Sequence, residues 1–226
     1  SRFTLNDMCA LYLLDTETEI CGVTLLPLEY EDKLDLEGWW NIEPVVQIKL
    51  VGEPYPDGFI HGHSMKNSLM LGTVKFKEQI VEGENPLKII TVMEGNGLTL
   101  KHILEYVPDS LYVTMYSQVI SNREDTIELE LFTSYNICAF SSLGGGLRME
   151  DFVLHRMQSK WSMEGKLESN EFLDLQLEPA WLRIGANSVR FGQVGSMPVR
   201  RYFPWMIAED RKFGYDIGAQ LAHPAS

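Results

Sequence analysis

Carboxylates, imidazoles, guanidinium groups and indoles are the side chains here with chemistry to offer, and several gather in the last third of the chain. His155-Arg156 leads to Trp161. A second run, from Phe191 to Trp205, passes through Gly192, Gly195 and Ser196 into Pro198, then the cations Arg200 and Arg201 and the block Tyr202-Phe203-Pro204-Trp205; a third ends on Gln220-Leu221-Ala222-His223-Pro224. Glycine opens backbone conformations closed to other residues, whereas proline fixes its own φ and biases the residue before it towards extended forms. The second run is therefore expected to be an ordered, extended segment that displays cations and aromatic planes. Neighbours on a strand point to opposite faces, so one of Arg200 and Arg201 is expected to pair internally and the other to face a partner.

Hydrolysis of a glycosidic bond needs two carboxyl groups held on either side of it. With 32 acidic residues the sequence contains many pairs, and no single choice stands out. Glu150-Asp151 and Glu209-Asp210 are adjacent doublets, and on a strand their side chains diverge; both are expected in turns or on a solvated surface. His61 and His63, two apart, would share one face of an extended segment, but zinc needs further ligands and no Cys or His cluster supplies them nearby. They are read as a structural or exposed pair. There is no Gly-x-Ser-x-Gly nucleophile elbow, and the triple glycine Gly144-Gly145-Gly146 lacks the Lys-Ser/Thr of a phosphate loop. No metal and no cofactor is expected. Of the five tryptophans, any single one is expected in the core or at a domain interface, given the area an indole buries. Trp39-Trp40 is the exception: two indoles in an acidic loop suit a partner surface or the rim of a sugar site.

These groups must be positioned by strands. Short β-rich runs recur at Cys9 to Leu14, Ile20 to Leu26, Val45 to Val51, Leu71 to Phe76, Leu87 to Met93, Leu98 to Tyr106, Tyr112 to Ile120, Thr126 to Tyr135, Phe152 to Trp161, Val199 to Ala208 and Tyr215 to Ala222. Turn-prone pieces such as Glu94-Gly95-Asn96-Gly97 separate them, the pattern of a sandwich or barrel. Alternation in Leu111 to Ile120 and in Thr126 to Thr133 predicts an antiparallel hairpin, with Ile127, Leu129 and Leu131 buried. The one weak helical candidate is Leu167 to Leu177, equally readable as a loop with a turn, and Glu29 to Pro44 reads as a long loop. Without a repeat or low-complexity linker, residues 1–226 are read as one large all-β domain, an antiparallel β-sandwich. The composition, 45% hydrophobic and 23% charged, is that of an ordinary globular protein. A net charge of -13 argues against binding the phosphate backbone of nucleic acid, and a neutral sugar remains compatible. Three cysteines without zinc spacing read as unpaired thiols of a reducing cytoplasm, and no apolar run is long enough to span a bilayer.

The order of the three C-terminal runs resembles the non-catalytic N-terminal domain of glycoside hydrolase family 36, the α-galactosidases. Phe59-Ile60-His61-Gly62-His63-Ser64-Met65-Lys66-Asn67-Ser68 is similar to a segment of the same family. The resemblance implies a β-supersandwich that packs on a catalytic (β/α) barrel, supports oligomers and lends loops to the rim of the sugar site. The parent enzyme would remove terminal α-linked galactose with retention, through two barrel aspartates expected beyond residue 226. No acidic residue here matches their motifs, so no catalytic residue is carried over. Trp39, Trp40, Arg200, Arg201, Tyr202, Phe203 and Trp205 are the candidates for rim or interface, with Trp39-Trp40 together with Tyr202, Phe203 and Trp205 expected as exposed or self-associating aromatic surface. The rival reading is a free-standing carbohydrate-binding β-sandwich module.

Overall fold

The computed structural model describes residues 1–35, 42–53, 74–140, 143–144, 149–175, 177 and 201–221. Among them the fold is all-β, with several antiparallel sheets and, for helix, only short 3-10 turns at Leu28–Lys33 and Met149–Asp151. The chain divides into two compact units, Ser1–Gly145 and Gly146–Ser226.

The first unit opens with a three-stranded meander of β1 (Arg2–Leu5), β2 (Met8–Asp15) and β3 (Ile20–Pro27). A short strand, β4 (Ile48–Leu50), follows, and then a four-stranded meander of β5 (Lys75–Glu82), β6 (Leu87–Gly95), β7 (Leu98–Tyr106) and β8 (Thr114–Ser121). A last strand, β9 (Leu129–Phe132), pairs back with β4. Alternation explains the burial: Leu98, Leu100 and Leu104 of β7 meet Ala10, Tyr12 and Val23 of the three-stranded sheet and Ile48 of β4 in one apolar core. Each fully buried aliphatic side chain contributes on the order of 1.5–3 kcal/mol of transfer free energy to such a core. Asn96-Gly97 closes the β6–β7 hairpin with φ of 50° and 72°, the two left-handed positions of a type I′ turn.

The hairpin expected between Leu111–Ile120 and Thr126–Thr133 does not form. Instead β8 pairs with β7, setting Leu100 against Val119 and Leu104 against Met115, while β9 pairs with β4. Alternation says which side chains share a face; it does not name the partner strand. As a result Ile127 packs half-buried on the core and Leu131 is half-buried, but Leu129, opposite Leu50 where the β4–β9 register shifts, is 41% exposed. Its neighbour Glu130 neutralises the buried amine of Lys49.

The described residues of Leu167 to Leu177 are not helical. The segment begins as a strand, Leu167–Glu171, whose polar residues are committed across the sheet, and continues as a turn. Cys9, Cys21 and Cys138 are all buried and free, as their spacing predicts.

Candidate functional site

The sheet of the second unit runs in the order β11 (Leu167–Glu171), β10 (Phe152–Gln158), β12 (Tyr202–Asp210), β13 (Tyr215–Gln220). Runs distant in sequence thus become neighbours: His155-Arg156 lies on β10, Tyr202 to Trp205 on β12 beside it, and Gln220 opposite Trp205 on β13.

The aromatic-proline-aromatic block is a bulge. Arg156 stands opposite Met206, yet Gln158 stands opposite Tyr202, so Met157 alone faces the stretch Phe203-Pro204-Trp205. Pro204 has no N–H to give and lies in a strand paired on both sides; a bulge is where proline is tolerated in such a strand. Its carbonyl accepts the Leu221 N–H at 2.9 Å. Arg201 leads in with φ of 120°, a value L-residues rarely adopt, and its carbonyl accepts the Ser159 N–H at 2.9 Å.

Opposed residues of an antiparallel pair share a face. On one face Arg156, 3% exposed, donates to Glu168 and, at 2.6 Å, to Asn170 Oδ1. Its guanidinium lies 4.5 Å from the centre of the Tyr202 ring. Tyr202 in turn donates to Glu168 at 3.2 Å, and Gln158 Nε2 donates to Glu168 Oε2 at 2.7 Å. Desolvation raises the Tyr202 phenol above its ordinary pKa, with the Arg156 charge opposing and the Glu168 charge reinforcing that shift, so the hydroxyl keeps the proton it donates. One face of the Tyr202 ring is thereby occupied by a guanidinium and is not open to a sugar.

The other face carries a second ladder. His155 Nδ1 lies 2.8 Å from Ser169 Oγ on β11, and Nε2 lies 3.1 Å from Glu209 Oε2 on β12. Arg211 approaches the same Glu209 oxygen at 3.6 Å and donates to Glu171 at 3.1 Å. Hydroxyl, imidazole and carboxylate in a row are the parts of an activated nucleophile. Here, though, they lie along a sheet surface with an arginine on the carboxylate, and the imidazole serves to tie three strands together. Glu209-Asp210 is no catalytic dyad: Asp210 is fully buried and caps the β12–β13 turn, accepting the N–H groups of Lys212 and Phe213 at 3.0 and 3.2 Å.

Of the residues singled out from the sequence, the sheet brings together Tyr202, Phe203 and Trp205; Arg201, at the mouth of the bulge, is exposed. Tyr202, Phe203 and Trp205, on the bulged stretch of β12, are half-buried. Trp39, Trp40, Arg200, His61 and His63 lie outside the described residues. Trp161, expected in a core or interface, is 82% exposed. It sits at the β10–β11 hairpin tip, fixed by the hydrogen bonds Met163 N–H to Lys160 O (2.9 Å) and Gly165 N–H to Gln158 O (2.9 Å). The polar context Ser159-Lys160-Trp161-Ser162 is the available sign of a turn. Among the described residues no cluster of three or more His, Cys, Asp or Glu could hold a metal ion, and no helix is long and apolar enough to cross a membrane. Comparison with protein-family models, with curated proteins and with solved structures found no match to the chain.

Proposed function

We propose that this chain is the non-catalytic N-terminal domain of a retaining α-galactosidase of glycoside hydrolase family 36. Its roles are to pack on the catalytic barrel, to support oligomers and to contribute to the rim of the sugar site. The observation that carries the reading is the convergence of the sequence runs that resemble the family on adjacent strands, where Arg156, Glu168 and Tyr202 bind one another. Further support comes from the state of the carboxylates: Glu168 is engaged by Arg156 of β10, and Glu171 and Glu209 by Arg211 of the β12–β13 turn, which suits a scaffold better than acid–base chemistry. Three buried, unpaired thiols favour the cytoplasm. The purified 226-residue chain is expected not to turn over an aryl α-galactoside. Turnover that survives repurification at constant specific activity overturns the assignment.

Trp161 favours a second reading, a free-standing carbohydrate-binding module, because an indole held in solvent can stack on the apolar face of a sugar ring. Saturable heat of binding with a galactoside, lost in Trp161→Ala, would select this reading over the first.

A further inference from the structure

Binary patterning of the four-stranded sheet has one interruption on the face turned to the core. Gln79 of β5, Thr91 of β6, His102 of β7 and Ser117 of β8 stand opposite one another, strand by strand, and form a polar row across the whole sheet. Apolar rows flank it: Phe76, Met93, Leu100 and Val119 on one side, Val81, Ile89, Leu104 and Met115 on the other. The outer members are satisfied, since Gln79 Nε2 donates to Thr91 Oγ1 at 3.1 Å and Ser117 Oγ donates to the Ser134 carbonyl at 2.6 Å. His102 is not. It is fully buried, and neither ring nitrogen has a hydrogen-bond partner.

We propose that this row is an acid-sensitive latch: with a neutral His102 ring the three-stranded and four-stranded sheets of the first unit stay closed on their shared core, and a proton on that ring opens them. An imidazolium has two N–H donors and a charge, and among the described residues no carboxylate faces it from the packed elements to balance that charge. The core faces of β6 and β8 offer Ile89, Thr91 and Met93, and Met115, Ser117 and Val119; β5 offers Gln79. Lys88, Lys101, Glu94 and Glu105 have the opposite parity, and Lys88 pairs with Glu105 at 2.7 Å. Tyr106 shares the face of His102 on β7, and the three-stranded sheet contributes Tyr12 and Cys21 to the core. Burial raises both of the latter, Cys21 to about 11, so neither supplies a negative charge. Lys49 on β4 is neutralised by Glu130.

Burial alone lowers the His102 pKa from 6.5 to about 4. A depressed histidine means that the unfolded chain binds the proton first. The stabilising contribution is whole above pH 6.5 and disappears as pH falls from there towards 4. The complete loss, reached only once pH has passed below 4, is about 300-fold in the folded-to-unfolded ratio through this residue alone, and about 100-fold of it falls between pH 7 and pH 4.

Urea unfolding of the 226-residue chain and of His102→Leu, at steps from pH 7 to pH 4, isolates the effect, because carboxylate titration is common to both and cancels. Amide signals of β6 and β7 report the first unit. Between pH 7 and pH 4 the wild type is expected to lose about 100-fold more of its folded-to-unfolded ratio than the leucine variant, and equal pH slopes overturn the proposal. Should the variant not fold, the ring protons of wild-type His102 decide. Folded-state signals unchanged down to pH 5 support the latch, and a folded-state titration near pH 6.5 refutes it.

Discussion

Arg156 sits almost wholly inside the second unit, and the residues that receive its guanidinium come from the two flanking strands, β11 and β12. Removing one partner of a buried pair leaves the other uncompensated, at a cost of about 3–5 kcal/mol. Glu168 keeps part of its side chain in water, so Arg156→Ala is expected near the lower end, about 3 kcal/mol by urea unfolding; a loss under about 1 kcal/mol would show the pair to be ornamental. Two glycines make a sharper contrast. A Cβ on Gly22 would lie 2.4 Å from Ile42 Cγ2, 2.6 Å from the Glu43 carbonyl and 2.8 Å from Cys138 Sγ. Because one of these is backbone, Gly22→Ala is expected to cost about 1–3 kcal/mol or more through overpacking. Gly165 has φ of 78° and open space around it, so Gly165→Ala is charged only for its left-handed backbone, about 1–2 kcal/mol. Neither Arg156 nor Gly22 is legible as critical in the sequence. Their importance lies in what other segments bring against them, and one such segment, Leu167 to Glu171, opens the stretch Leu167 to Leu177 whose imperfect apolar spacing offers a weak helical reading.

At the scale of elements, the sequence is most readable where alternation is regular and a turn has its own chemistry. Leu98 to Tyr106 is a strand at the bounds its pattern predicts, and Asn96-Gly97 turns it back on β6. Pairing is not readable in the same way: β8 and β9 are close in sequence and alternate well, yet each takes a different partner. The β12 bulge is foreshadowed by Pro204, although the residues it displaces are not. The β10–β11 hairpin holds Trp161 in solvent, where it supports no core. Trp161→Ala is therefore expected to change unfolding free energy by no more than about 0.5 kcal/mol. A larger loss would mean that the indole is packed, and it would remove the observation favouring the sugar-binding alternative.

For the whole molecule, three thiols buried in apolar surroundings give a direct check on the fold. Desolvation raises all of them, Cys21 to about 11 and Cys138 to about 12. The native chain is thus expected to resist a disulfide-exchange reagent at pH 8 and to titrate all three cysteines once urea is added. Rapid reaction of the native chain would contradict the burial. The proposed function rests on a wider comparison, between this scaffold and the catalytic barrel it would carry. The direct measurement is to express the polypeptide encoded by the natural reading frame continued past Ser226 beside the 226-residue chain, and to assay both on an aryl α-galactoside. The account predicts turnover by the longer polypeptide and none by the 226-residue chain. Activity in the 226-residue chain, or a longer polypeptide that folds and leaves α-galactosides untouched, would contradict it.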